Sequence, residues 1–211
     1  SIGSGLGRLM ATIPNKVKKV TRINLDMCLP ELSPKARKAL VTESLRESGK
    51  AILEYGFVSL RPADEILELI HAEHNIQLLH DSMAHNKGLI VITPHLGNWE
   101  VLSLFLACHY KVTGLYKPSR LPSADKLILA ARSRTGSIPI PASPAGVVKV
   151  RKALSDGWLT VILPDQQPHK DNGIFVPFFG ITAASMRLVS TLAQKSGAKI
   201  LCMYAPRLKA G

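Results

Sequence analysis

Apolar residues along this chain follow two rhythms. From residue 88 onward, short unbroken apolar runs at 88–93, 112–116, 138–140, 159–163 and 200–204 read as strands buried on both faces of a sheet. Between them, at about 98–109, 124–134, 144–155 and 184–196, apolar residues recur at helical spacing. Ser143 and Pro144 open the third of these segments and Gly157 closes it. Strands alternating with helices of this length predict an α/β fold, an αβα sandwich with a mostly parallel sheet. Upstream the rhythm is helical only. Ser33 supplies an N-cap and Pro34 a first-turn residue for a helix running to about residue 58, with Ala36, Leu40, Ala51, Ile52 and Tyr55 expected to face the core. A second helix follows Pro62 and carries Ile66, Leu69 and Ile70. No repeat or linker interrupts 33–211, so a single domain is expected there behind a helical lead-in at 1–32.

Charge changes the picture. Lys and Arg number 27 against 15 Asp and Glu, a net charge of +12 that points to an anionic partner. The excess begins at once: before Asp26 there is no acidic residue, while Arg8, Lys16, Lys18, Lys19 and Arg22 are all cationic. That segment is a candidate surface for anionic lipid headgroups, or else a solvated basic tail. A nucleic-acid-binding module is a rival use of the charge. It is disfavoured because only 5% of residues are aromatic and the basic residues are spread along the chain. With 46% hydrophobic residues in 211, the chain is long enough to bury a core, which excludes disorder and low-complexity classes. Cys28, Cys108 and Cys202 form no CxxC pair, so neither a disulfide framework nor a zinc knuckle is encoded and a reducing setting fits. The most apolar stretch, 88–110, is broken by Pro94, His95 and Glu100, short of the roughly 18 uninterrupted apolar residues of a bilayer span.

In open α/β sheets ligands bind at the carboxyl ends of strands, which singles out three places. The first is residues 95–100, HLGNWE, after the first apolar run. On a continuous helix His95 and Glu100 would point about 140° apart. They meet only if His95 sits in a turn before the helix, which Pro94 and Gly97 allow. A histidine held by a carboxylate is a general base suited to a hydroxyl; the plainer alternative is a capping histidine and a solvated glutamate. The second place is Arg132 and Arg134, which clamp a phosphate or carboxylate or else complement a helix dipole. The third is Asp165, after the run 159–163, which orients a substrate, pairs with one of the arginines or simply shapes a turn. His71 and His74 share helical spacing, but no third metal ligand follows in register. GxSxG, HExxH and GxxxxGK[ST] are absent, and Gly3, Gly5 and Gly7 do not match GxGxxG. A covalent serine enzyme, a zinc protease and a nucleotide-binding enzyme all lose ground.

HLGNWE resembles the HX4D/E block of glycerolipid acyltransferases, in the form found in the lipid A biosynthesis lauroyl/myristoyl acyltransferases, the bacterial late acyltransferases. Further blocks follow in order: Asn24 and Leu25 with CLPELS at 28–33, Glu54, Arg132 to Arg134, DQQP from Asp165, VPFFG at 176–180, and Arg207. The resemblance implies a glycerolipid-acyltransferase-like fold. It also implies an enzyme of lipopolysaccharide biosynthesis, at the cytoplasmic face of the bacterial inner membrane, that moves a fatty acyl chain from acyl carrier protein, or acyl-CoA, to a hydroxyl of a lipid A precursor. It further implies His95 and Glu100 as catalytic pair, direct attack on the thioester without an acyl-enzyme, and no metal or other cofactor. Substrate-side roles fall to Arg132, Asp165, Arg134, Gln166 and Asn98. The partners expected are acyl carrier protein, the lipid A precursor and an anionic membrane surface, with no nucleic acid. Lys117 stands where many members have arginine, which reduces any bidentate role there. Members usually carry an N-terminal membrane anchor and a further C-terminal stretch, so 33–211 reads as an acyltransferase domain truncated at both ends. Within the same superfamily, an enzyme acting on another lipid acceptor, such as a lysophospholipid or other glycolipid, is the alternative.

Overall fold

The computed structural model describes residues 2–168 and 173–208. In chain order it runs through α1 (Ile2–Thr12), α2 (Lys16–Cys28), α3 (Pro34–Leu60), α4 (Ala63–Leu67), α5 (Gln77–Ala84), β1 (Leu89–Ile92), α6 (Trp99–His109) and β2 (Val112–Tyr116). Then come α7 (Pro122–Ser133), β3 (Ile138–Pro141), α8 (Pro144–Ser155), β4 (Leu159–Ile162), β5 (Gly173–Phe178), β6 (Ile181–Met186), α9 (Leu188–Ser196) and β7 (Lys199–Cys202). The α/β architecture is the expected one. Contacts gather these elements into two compact units, one of residues up to Phe57 with Ile174–Ser185, the other of Val58–Gly173 with Met186 onward; the boundary falls inside α3.

In the second unit five parallel strands lie in the order β3-β2-β4-β1-β7. The apolar runs are strands because both faces are covered. Leu89 and Val91 of β1 point into a cluster with Leu79 of α5 and Leu102 and Leu106 of α6, while Ile90 points the other way, against Val150 and Leu154 of α8 and Leu192 of α9. Helices thus flank the sheet on both sides. The helix after β1 packs on one face and the helix before β7 on the other, and in open α/β sheets ligands bind at the carboxyl ends of such strands. Their register pairs Ile92 with Ile162, so residues three further along each strand arrive side by side.

The first unit keeps the expected helical lead-in and departs from the expected pattern in two ways. Its glycine-rich start is a helix, α1, because Gly3 and Gly7 let its backbone lie directly on that of α3. A Cβ on Gly3 would strike Lys50, and one on Gly7 would strike Leu45 and Arg46, while Gly49 meets Gly3 and Gly7 in return. This docking also settles which face of α3 is covered. Val41, Leu45 and Gly49 are buried, whereas Leu40 and Ile52 are exposed, so the expected core face of Ala36, Leu40, Ala51 and Ile52 is not the one used. Apolar residues occur round most of this helix, and only the partner selects among them. Finally, β6 replaces the start of the helix expected at 184–196, which begins at Leu188.

Asn15 links α1 to α2: its side chain caps α2 by accepting from the Lys18 N–H at 2.9 Å and donates to the Met10 carbonyl at 2.7 Å. No residue of α2 is buried. Val17, Val20, Ile23 and Met27 stand exposed along it at three- and four-residue spacing, flanked by the exposed Lys16, Lys19 and Arg22. Among the described residues, no helix is long and apolar enough to cross a membrane.

Candidate active site

His95 and Asp165 follow β1 and β4 by three residues each, and the register of those strands brings them together. The Asp165 carboxylate receives two hydrogen bonds from one residue: the His95 backbone N–H donates to Oδ2 at 2.7 Å, and Nδ1 bonds Oδ1 at 2.7 Å. An ionised carboxylate only accepts, so Nδ1 carries the proton and Nε2 presents its lone pair. Burial pushes the Asp165 carboxyl up, but the two hydrogen bonds from His95 outweigh it and hold the group below its ordinary value of 3.8. It therefore stays ionised wherever the protein is folded at neutral pH. The Gln166 amide reaches the free ring nitrogen, its Nε2 lying 3.2 Å from His95 Nε2.

Glu100 is occupied elsewhere. Its carboxylate accepts from Arg132 Nη2 at 2.9 Å, and only 13% of its side chain is exposed. Desolvation raises its pKa above the ordinary 4.5, with Arg132 pulling the other way. The carboxylate bonded to His95 is thus Asp165, not the Glu100 expected from the HX4E spacing. α6 starts at Trp99, so Glu100 lies in its first turn and is directed to the end of α7. Trp99 connects the two pairs: its ring meets the His95 ring edge-on at 5.8 Å, and the Arg132 guanidinium lies 5.5 Å from its centre. Spacing within HLGNWE gives no sign of this role for Trp99, because it depends on where α7 ends.

Arg134 and Asn98 also make contacts within the fold. Arg134 donates from both terminal nitrogens to carbonyls in the last turn of α3, Ser59 at 2.8 Å and Val58 at 2.6 Å, and so fastens a helix end. Asn98 caps α6, its side chain accepting from the Val101 N–H at 3.2 Å. Among the described residues no group of three or more His, Cys, Asp or Glu side chains is placed to hold a metal ion.

Gly97 explains how the turn is held. Its φ is +67°, and a Cβ there would collide with the Ala205 carbonyl oxygen. The close approach lets the Asn98 N–H donate to that same oxygen at 2.9 Å, tying the His95 turn to the segment after β7. Gly97→Ala is expected to lower stability by more than about 2 kcal/mol, since the left-handed conformation alone costs about 1–2 kcal/mol before the collision is counted. A fall in the denaturant midpoint at unchanged slope measures it.

A histidine whose ring is held by a carboxylate at the carboxyl edge of a parallel α/β sheet is an arrangement able to accept a proton from a hydroxyl. The chain belongs to the bacterial lipid A biosynthesis acyltransferase family, whose model matches residues 1–211. It is 27% identical to the lipid A biosynthesis lauroyltransferase of Escherichia coli (strain K12), over 99% of this chain and 67% of that protein. Against a lipid A biosynthesis acyltransferase of Haemophilus influenzae the identity is 26%, over 85% of this chain and 57% of the relative. Against the lipid A biosynthesis palmitoleoyltransferase of E. coli it is 23%, over 98% and 67%. The chain therefore spans about three-fifths to two-thirds of the length of these relatives.

Proposed function

We propose that this chain transfers a fatty acyl group from a thioester, carried by acyl carrier protein or coenzyme A, to a hydroxyl of a lipid A precursor, with His95 as the general base. The observation that carries this reading is the 2.7 Å bond between His95 Nδ1 and Asp165, which leaves Nε2 as the proton acceptor. The acceptor hydroxyl displaces the Gln166 amide from Nε2 and gives up its proton there as its oxygen attacks the thioester carbonyl. Asp165 stabilises the imidazolium that forms. The Gln166 amide, released from the ring, is an N–H donor within reach of the developing oxyanion. Collapse of the tetrahedral intermediate breaks the carbon–sulfur bond, and the imidazolium returns its proton to the departing thiolate. An acyl thioester is already activated, so one base and nearby donors suffice and no acyl-enzyme is required. Arg132, paired with Glu100 and stacked near Trp99, holds the wall beside His95.

The place of work is an anionic bilayer surface, the cytoplasmic face of the inner membrane. The exposed apolar stripe of α2, with the cations Lys16, Lys19 and Arg22 along one side, suits that surface, each cation near the headgroups contributing about 1 kcal/mol. The test is incubation of the protein with an acyl-carrier-protein thioester and an under-acylated lipid A precursor. Mass spectrometry is expected to find the acceptor heavier by one acyl chain. Transfer only to a lysophospholipid would reassign the acceptor, and no transfer to any lipid hydroxyl would sink the reading.

A further inference from the structure

The β5–β6 hairpin breaks a local rule. Phe179 and Gly180 alone join Phe178 to Ile181, and both have positive φ, 50° and 75°. Two-residue hairpin loops with positive φ at both positions favour Asn-Gly or Asp-Gly, because any larger L side chain crowds its own backbone there. Here phenylalanine takes the first position, and its ring is not buried in return. Phe179 is 60% exposed and rests edge-on against Phe178, which is itself 57% exposed, with ring centres 4.8 Å apart. Phe175 on the same strand is 77% exposed. From Gly173 to Met186 the sequence holds no Asp, Glu, Lys, Arg or His. A strained aromatic tip on an uncharged hairpin is thus left open to water.

We propose that the hairpin tip, Phe178 and Phe179, inserts among the acyl chains just below the headgroups of an anionic bilayer. Charge identifies this occupant. The compact unit that carries the hairpin also carries α1 and α2, where five cations precede the first acidic residue, Asp26. α2 adds its own exposed apolar stripe with cations along one side. Cations draw the unit to anionic headgroups, and uncharged aromatic side chains enter the hydrocarbon without desolvating a charge. The proposal rests on the membrane setting of the function proposed above, and adds a second anchor that does not depend on charge.

Flotation with vesicles of phosphatidylethanolamine and phosphatidylglycerol tests it. Asparagine tolerates positive φ, so Phe179→Asn keeps the turn and its melting temperature is expected to match or exceed that of the wild type. Combined with Phe178→Ser it is expected to weaken vesicle partitioning about tenfold or more, from the apolar area no longer buried. High salt, or Lys16→Gln, Lys19→Gln and Arg22→Gln together, is expected to weaken binding separately. In Phe178→Trp, emission is expected to shift to the blue with vesicles and to be quenched by brominated acyl chains, beyond any change in the wild type. Salt-sensitive wild-type binding with unaltered partitioning of the Phe178→Ser/Phe179→Asn protein overturns the hairpin anchor alone. Absence of wild-type binding to any vesicle overturns the membrane setting and the anchor with it. Loss of a dimer in the double variant, with partitioning unchanged, would assign the tip to self-association instead.

Discussion

Replacing His95 by alanine is expected to lower acyl transfer by about 10²–10⁴-fold in a protein that still folds, the usual cost of removing a general base. The larger question is which carboxylate serves it. Asp165 accepts from both the His95 ring and its backbone N–H, so Asp165→Asn both removes the charge that stabilises the imidazolium and disturbs the tautomer. Its kcat is expected to fall nearly as far as that of His95→Ala with KM little changed. Glu100→Gln, whose carboxylate touches Arg132, is expected to retain far more activity. Equal losses in both variants, or a greater loss in Glu100→Gln, would return the pairing to Glu100. The pH dependence follows from the sign of the Asp165 shift. Its folded pKa lies below the ordinary 3.8, so the pair's contribution to stability is complete above that value and is lost as pH falls through the folded one.

The second large effect concerns the wall of the site. Arg132→Ala leaves the Glu100 carboxylate desolvated beside Trp99 with its cation gone, and is expected to cost about 3 kcal/mol of stability, the lower end for breaking a buried pair. The Ser137 hydroxyl bonds the Arg132 carbonyl, so the backbone at this helix end is retained in the variant and the loss reports the guanidinium. Adding Glu100→Gln to Arg132→Ala is expected to restore most of the stability, because a neutral amide needs no counter-charge. The raised Glu100 pKa gives a second signature. In Arg132→Ala stability is expected to fall as pH rises from the ordinary 4.5 through the raised folded value, since the unfolded chain ionises more readily. Chemical denaturation of the four proteins across that range settles it. A stable Arg132→Ala protein that has lost only activity would make the arginine a substrate contact, as the motif implies.

Much of this was legible in sequence because the sheet is buried on both faces. Runs such as 89–92 and 159–162 have to be apolar throughout, and polar residues placed directly after them have to lie at its carboxyl edge. His95 and Asp165 were identifiable as edge residues on that ground. Their partnership was not, because it depends on β1 and β4 being neighbours in one register, a fact shared between segments 70 residues apart. Spacing favoured Glu100 because local distance was the only distance available. The partners of Arg134 are hidden from local sequence for the same reason: the helix end it fastens, at Val58 and Ser59, lies far back in the chain. The hairpin escaped notice because small residues at 183–185 fit a helix as well as a strand, and because a phenylalanine stands where a turn residue would have marked the reversal.

The glycines of α1 bear on a problem that sheets do not have. Hydrogen bonds fix how far one strand slides along another, whereas two helices touching through flexible apolar side chains have no comparable stop. Gly3 and Gly7 provide one, each meeting the backbone of α3 where no side chain fits. Sliding α1 by one residue would drive Ser4 and Arg8 into those slots, and sliding it the other way would bring Leu6 against Leu45. Gly5, with open space around it, has no part in this. The helix pair therefore has a single seating, written in the two residues that least resemble a helix.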